Sequence, residues 1–348
     1  MKQLTERQKK ILELAQEKTS VSNREIIERF PGISRVTAVR DVNVLVSGGF
    51  LEKTGLGRNS RYKEKVVNPL LRRIDVEKYF STETDRRDVL HERFNFEIYN
   101  ELSSLFSEQE NAELLDLTEG YKKRVAILSP AELQKEFERL TIELSWKSSR
   151  LEGNTYSLID TEVLIKEHKE AVGHPREEAI MILNHKKALE YVADKRSDFS
   201  VLTIGKIEAV HSLIVENMNV RTGIRKHPVG IIGTRYRPLD NEHQIREALE
   251  KAVTAINAED NPFSKALLGI ALISYIQPFE DGNKRTGRIL GNAILLAQNA
   301  CPLSYRSINE ADYKKAVILF YEQNNLRFLK KLFVEQYKFS VENYFGAA

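Results

Sequence analysis

The sequence predicts a mainly α-helical protein, and three observations carry that expectation. Apolar residues recur every three to four positions through most of the 348 residues, the period of one helix face. Ser22, Ser34 and Pro130 stand at the heads of such runs, where helix N-termini favour them. Glycine-rich or β-branched stretches interrupt the pattern near residues 50–63 and 225–239, so β-structure is expected to be minor.

The length suits two or three domains. Apolar residues make up 41% and charged residues 30%, the balance of a soluble globular protein. No run of about 18 apolar residues occurs, which excludes a membrane-spanning helix. Met1–Arg7 enters charged helical sequence without an apolar signal core, so a cytoplasmic protein is the expectation. Cys301, the single cysteine, cannot form an internal disulfide and reads as a small core residue. The net charge of +3 is uneven: residues 1–75 hold 16 Lys and Arg against 9 Asp and Glu, a net of +7, leaving −4 for the rest. A basic head on a slightly acidic body points to nucleic acid at one end only.

In the head, Leu4–Glu17 sets Leu4, Ile11, Leu12, Leu14 and Ala15 on one side of a first helix. Ser22 and Glu25 form a capping box for a second helix, which Pro31-Gly32 ends. Ser34 caps a third helix, Arg35–Val46, with Val36, Val39, Val42, Leu45 and Val46 expected inward, and Gly48-Gly49 stops it. Residues 50–53 and 61–63 read as two strands joined by 54–60. Three helices and a basic hairpin resemble the winged helix-turn-helix of bacterial transcription regulators, over residues 1–65. The resemblance rests on Ser34-Arg35-Val36-Thr37, Arg40-Asp41, Leu45, Gly48-Gly49-Phe50-Leu51 and the wing Gly55–Tyr62. It implies duplex DNA as a partner, with Arg35, Thr37 and Arg40 in the major groove and Arg58 and Arg61 meeting phosphate. A winged helix used only for protein contacts is the alternative.

Residues 66–129 read as a charged, irregular connector. Leu90, Phe94, Ile98, Leu102 and Phe106 recur at helical spacing, which predicts an amphipathic helix across it. That face needs the body, the head or another subunit as its partner, so a homo-oligomer stays open.

From 130 to 348 the sequence is again helical. Pro130 opens a helix whose stripe is Leu133, Phe137, Leu140, Leu144, Ser148 and Leu151, and Glu152-Gly153-Asn154 ends it. Ser148 and Glu152, four apart, are neighbours on one face. Further helices are expected at 160–170, 176–191, 204–217, 243–257, 264–276, 285–299 and 310–345. The 264–276 segment is apolar nearly all round, hence central and buried. Residues 225–239, with Gly230 and Gly233 among β-branched residues, read as a β-hairpin. Between two buried helices lies Gln277-Pro278-Phe279-Glu280-Asp281-Gly282-Asn283-Lys284-Arg285-Thr286-Gly287-Arg288. An acidic residue, a glycine turn, free helix N-terminal amides and two arginines have the makings of a triphosphate site.

This loop resembles the Fic family signature, His-x-Phe-x-(Asp/Glu)-Gly-Asn-(Gly/Lys)-Arg-x-x-Arg, at every fixed position except the first, where Gln277 stands. Ser148–Gly153 is similar to the family's inhibitory motif, (Ser/Thr)-x-x-x-Glu-(Gly/Asn), on a helix at about 131–153. Residues 225–239 resemble its target-docking flap, with Val229, Gly230, Ile231, Ile232 and Gly233 in it. The resemblance spans about 130–345 and implies the Fic helical fold with a small hairpin flap. It also implies transfer of AMP from ATP to a Ser, Thr or Tyr hydroxyl of a protein target, releasing pyrophosphate. Asp281 would hold Mg2+ on the phosphates. Gly282, Asn283 and Lys284 would line the anion hole, while Arg285 and Arg288 would hold the β- and γ-phosphates. Phe279 would anchor the loop in the core. Ser148, Glu152 and Gly153 would form the inhibitory element, with Glu152 pairing Arg288 and displacing the γ-phosphate.

The family's first motif residue is the general base that deprotonates the attacking hydroxyl. Gln277 reaches similarly but accepts no proton at neutral pH, and losing a positioned base costs about 10²–10⁴ in rate. The resemblance therefore implies a weakened or inactive nucleotidyltransferase. The alternatives are a non-catalytic DNA-binding regulator whose body binds nucleotide or a protein partner, and transfer of UMP or another phosphate-containing group. Whether Gln277 is natural or was substituted for histidine stays open on the sequence.

Overall fold

The computed structural model describes residues 4–18, 20–66 and 68–346, apart from the side chains of Glu17 and Arg58. Residues 1–75 and 76–348 form two units. The first holds helices α1 (Glu6–Glu17), α2 (Asn23–Arg29) and α3 (Arg35–Ser47) with strands β1 (Val21–Ser22), β2 (Leu51–Thr54) and β3 (Arg61–Glu64). Its antiparallel sheet has the order β1-β3-β2, with Val21 opposite Tyr62 and Lys53 opposite Tyr62 on the other side. Thr5–Gln8 and Ser22–Glu25 are full capping boxes, so two helix starts are fixed by local sequence. Ile11, Val21, Ile26, Ala38, Val42, Leu45 and Leu51 make one core. Val36 departs from the expected inward stripe and is 79% exposed. At the second position of α3 it falls on the side away from Ala38, Val42 and Leu45, which take the core positions.

The second unit is built on α11 (Pro262–Ile276) and α12 (Asn283–Ala297), its most extensive helix pair. Every residue of α11 from Phe263 to Ile276 is buried. A Cβ on Gly287 would come within 2.9 Å of the Ile270 carbonyl oxygen, and one on Gly291 within 2.6 Å of Ile270 Cγ1. The two glycines therefore let the backbones approach, and this close packing fixes the loop between the helices. After the short α4 (Val76–Phe80), α6 (Pro130–Arg150), α8 (Arg176–Asp194), α9 (Ile204–Ile214) and α10 (Glu242–Ala258) pack on this pair, and α7 (Leu158–Glu167) packs on α6 and α8. No described helix is long and apolar enough to cross a membrane.

Three expectations are corrected. Residues 90–106 are not one helix: a 3₁₀ turn spans Phe96–Glu101, and the flanking chain is irregular. Body contacts override the helical spacing there, because the Leu90 and His91 amides donate to the Glu322 carbonyl and the Asn95 amide to the Tyr275 hydroxyl. The regular element follows instead, at α5 (Glu108–Ile127), opened by a Ser107–Glu110 capping box. Residues 310–345 divide into α13 (Glu310–Gln323) and α14 (Arg327–Asn343). Asn324 adopts φ 44° between them and accepts a hydrogen bond from Asn95, and asparagine tolerates that left-handed conformation. Residues 225–239 form no hairpin ladder; the one bridge there pairs Arg237 with Arg93. Backbone amides there bond the body instead: that of Arg225 donates to the Pro278 carbonyl and that of Arg237 to the Glu92 carbonyl.

Candidate functional site

The loop 277–282 begins where α11 ends. Gln277 caps that helix in the left-handed region at φ 51°, and its side chain is spent on the loop's own geometry. Its Nε2 donates to the Ser274 carbonyl at 2.7 Å and to the Tyr321 hydroxyl at 3.3 Å, while its Oε1 accepts from Asn283 Nδ2 at 3.0 Å. Asn283 Oδ1 accepts from the Phe279 amide at 2.9 Å. Phe279 is fully buried and stacks on His211, with ring centroids 3.7 Å apart. His211 Nε2 donates to the Asp281 carbonyl at 3.0 Å. Burial pulls the His211 pKa down to about 4, so the ring stays neutral.

Gly282 turns the chain into α12 at φ 79°, and a Cβ there would press on Val215 Cγ1 at 3.0 Å. Both the conformation and the space require glycine. No side chain caps α12, so its first amides are open to an anion.

Glu152 lies against that helix. Its Oε1 is 2.9 Å from Arg288 Nη2 and its Oε2 is 2.8 Å from Lys284 Nζ. Burial opposes the charge, but Arg288 and Lys284 outweigh it and hold the carboxyl at about 2. Arg288 is fully buried and donates to Ser148 Oγ at 2.8 Å, to the Ser148 carbonyl at 2.9 Å and to the Tyr313 hydroxyl at 3.3 Å. Gly153, at φ 99°, turns the chain after Glu152. Arg285, 2% exposed, pairs with Asp281 at 2.8 Å and contacts Met218 Sδ at 3.3 Å. The structure thus brings together Gln277, Asp281, Gly282, Asn283, Lys284, Arg285, Arg288, Ser148, Glu152 and Gly153.

His185 belongs to no sequence motif. Its Nδ1 donates to the Met181 carbonyl at 2.8 Å, which leaves Nε2 to accept from Ser148 Oγ at 2.7 Å. Ser148 therefore relays Arg288 to a buried neutral imidazole. Burial, aided by the two arginines, drives the His185 pKa to about 3. Lowered below the ordinary 6.5, it makes the unfolded chain bind more protons as pH falls. Its contribution is complete above pH 6.5 and declines on acidification by about 1.4 kcal/mol per unit. Urea unfolding followed by the single tryptophan, Trp146, should show that decline between pH 6.5 and 4.5 and a shallower one in His185→Gln. Equal slopes would contradict it.

Arg225 is a second residue the motif reading passed over. Only 2% exposed, it donates through its amide to the Pro278 carbonyl at 3.0 Å and through Nε to the Gln277 carbonyl at 2.7 Å. It also donates to the carbonyls of His227 and Leu239. One guanidinium thereby joins both ends of segment 225–239 to the loop. Val229 and Ile231 are half-buried, and Gly230, Ile232 and Gly233 are exposed.

In the first unit, Arg35 and Arg40 are exposed on α3, and Thr37 is half-buried with its amide held by Ser34. Arg61 donates to Ser20 and Glu25, so it is engaged within the unit. The Arg58 side chain lies outside the described residues.

Residues 201–295, which include the whole loop and most of α12, match the family model of Fic/DOC. The chain carries a Fic/DOC domain. It is 30% identical over 182 residues to "Protein adenylyltransferase Fic" of Nematostella vectensis, a match covering 48% of this chain and 40% of that protein. It is 25% identical over 212 residues to "Protein adenylyltransferase fic-1" of Caenorhabditis elegans, covering 57% and 40%. The matches thus span two fifths of either relative. A solved structure of Fic-1 residues 134–508 from C. elegans superposes with TM-score 0.56 at 19% identity, over 67% of this chain and 69% of that one. A Fic family protein from Desulfovibrio desulfuricans G20 gives TM-score 0.56 at 21% identity, over 68% and 74%. These two share the fold.

Proposed function

We propose that this Fic protein is an auto-inhibited nucleotidyltransferase that moves AMP from ATP to a protein hydroxyl, weakened at Gln277. The observation that carries the reading is Glu152, a carboxylate seated between Arg288 and Lys284 beside the open N-terminus of α12. Two relatives named as protein adenylyltransferases support the choice of AMP.

The target's hydroxyl oxygen would attack the α-phosphorus as the bond to the α–β bridging oxygen breaks, and pyrophosphate leaves. The α12 amides and Asn283 would meet negative charge developing on phosphate oxygens. Arg285 and Arg288 would hold the distal phosphates, and Glu152 would block that hold. Gly230, Ile232 and Gly233 are exposed, in a segment that Arg225 ties to the loop, and would suit docking of an extended target segment. The hydroxyl proton needs an acceptor, and Gln277 offers none.

Among the described residues no cluster of three or more His, Cys, Asp or Glu could hold a metal. A single carboxylate, Asp281, with a 63% exposed side chain, fits Mg2+ that arrives with its phosphate and water ligands. Asp281 would hold that ion, which would neutralise phosphate charge when bound.

Labelled ATP tests the reading on the Gln277→His, Glu152→Gly chain, with UTP, GTP and CTP alongside. Protein label from α-labelled and not γ-labelled ATP is expected. Label from the γ position would show phosphoryl transfer, and none from any nucleotide with candidate targets supplied would remove the transferase reading.

A second reading concerns residues 1–75. Their net +7 and the exposed Arg35, Val36 and Arg40 on α3 favour a duplex-DNA surface. Arg40→Ala should weaken a selected site more than random duplex, and Arg58→Ala should weaken both alike. Selection from random duplexes with the full chain checks this; no retention at low salt would assign the head to protein contacts.

A further inference from the structure

We infer that Lys284 is the second cation of the Glu152 lock and, once Glu152 withdraws, a binding residue for the terminal phosphates of the nucleotide. The inference rests on the nucleotide-site reading above and concerns its regulation and selectivity.

The Glu152 carboxylate is bracketed by two different cations, one per oxygen: Arg288 on Oε1 and Lys284 on Oε2. Arg288 has further partners in Ser148 and Tyr313. For the Lys284 side chain, Glu152 is the ion-pair partner, and the lysine side chain keeps 31% exposure. Lys284 sits in the first turn of α12, whose start no side chain caps, so its charge adds to that of the helix N-terminus. Arg285, one residue on, is turned to Asp281.

Withdrawal of Glu152 would leave Lys284 and Arg288 around the space one carboxylate filled. Two such cations are satisfied best by an anion with more than one charged oxygen. A terminal phosphoryl group supplies that, and the single phosphate of AMP would be held elsewhere, at the reacting position. Lys284 would therefore favour di- and triphosphates over the monophosphate. With Glu152 in place the lysine is occupied and contributes nothing to nucleotide affinity.

Calorimetry on the full chain with Mg2+ and AMP, ADP or ATP tests this in four forms: parent, Glu152→Gly, Lys284→Met and both together. Glu152→Gly should tighten ATP by about tenfold or more, the scale of one charge-assisted hydrogen bond, and leave AMP within about twofold. Adding Lys284→Met should reverse most of that gain for ATP and ADP and spare AMP. Lys284→Arg should retain it. In the Glu152 background, Lys284→Met should not weaken ATP. A fold defect would move AMP and ATP together, so the AMP titration guards against it. If Glu152→Gly tightens ATP while Lys284→Met changes nothing in that background, the lysine's role is overturned and the inhibitory reading stands. If Glu152→Gly leaves all three nucleotides unchanged, both fall.

Discussion

Gln277→His is expected to raise transfer of labelled AMP by about 10²–10⁴, the contribution of a positioned general base. The residues proposed above to meet the phosphates, Asp281, Gly282, Asn283, Arg285 and Arg288, already lie together in this chain. Backbone geometry is no obstacle: Gln277 has φ 51°, and histidine is among the residues that adopt this region most readily. The substitution does remove the three side-chain bonds to Ser274, Tyr321 and Asn283. Asn283 keeps the Phe279 carbonyl as an acceptor at 2.8 Å, so a stability loss of about 1–2 kcal/mol is expected, and rates belong per folded molecule. Among the described residues, neither Tyr321 nor His211 is placed to supply the base instead. Tyr321 is fully buried, and burial raises its phenol well above the ordinary value. His211 is buried behind the loop, stacked on Phe279. The gain should be largest with Glu152→Gly, since Glu152 is paired with Arg288, the residue proposed to hold the γ-phosphate. Rates in Gln277→His, Glu152→Gly equal to those in Glu152→Gly alone would mean that the missing base is not what limits transfer.

Much of this site was legible because its residues are local in sequence. The turn at Gly282, the amides of α12 and the arginines at 285 and 288 follow from one twelve-residue stretch, and the helical period places both arginines inward. The buried α11 was readable from its all-round apolarity. What escaped was long-range. His185 reaches Ser148 from 37 residues away, and Arg225 reaches Gln277 across 52, so neither leaves a local pattern. Lys284 was read for its amide, and its ammonium met Glu152 only once α6 lay beside α12. The segment 90–106 misled for a related reason: Phe94, Ile98, Leu102 and Phe106 do bury, with Phe94 stacked on Tyr275 at 4.7 Å, but in irregular chain tied to the body by the Leu90, His91 and Asn95 amides. The head's helices were readable because their caps are local, whereas the outward turn of Val36 depended on which of several valines won the core.

The largest loss of stability is expected from Glu322→Ala. This carboxylate has no exposure, and both its oxygens are used. Oε1 accepts from Thr234 Oγ1 at 2.7 Å and from the Arg235 amide at 2.9 Å; Oε2 accepts from the Tyr79 hydroxyl at 2.7 Å and lies 3.5 Å from Arg87 Nη1. Burial, with the bond to Glu322, raises the Tyr79 phenol well above its ordinary value, so it stays a donor. The Glu322 backbone carbonyl takes the amides of Leu90 and His91, both at 3.0 Å. One residue therefore fastens the 79–91 strap and the 234–235 end of the flap to α13, and Arg87 adds a bond to the Gly233 carbonyl at 3.0 Å. Alanine would strand the Arg87 charge, whose side chain is 9% exposed, along with two hydroxyls and an amide. Removing one partner of a buried ion pair costs about 3–5 kcal/mol. Glu322→Gln keeps the shape and an acceptor, so its cost should stay near 1–3 kcal/mol. Urea unfolding of the full chain, read by Trp146, gives both values. Hydrogen exchange at 229–235 should quicken in the alanine form before global unfolding does, because the flap loses its anchor first. A loss under about 1 kcal/mol, with exchange at 229–235 unchanged, would show that the strap and flap are held by packing and that the buried carboxylate is dispensable.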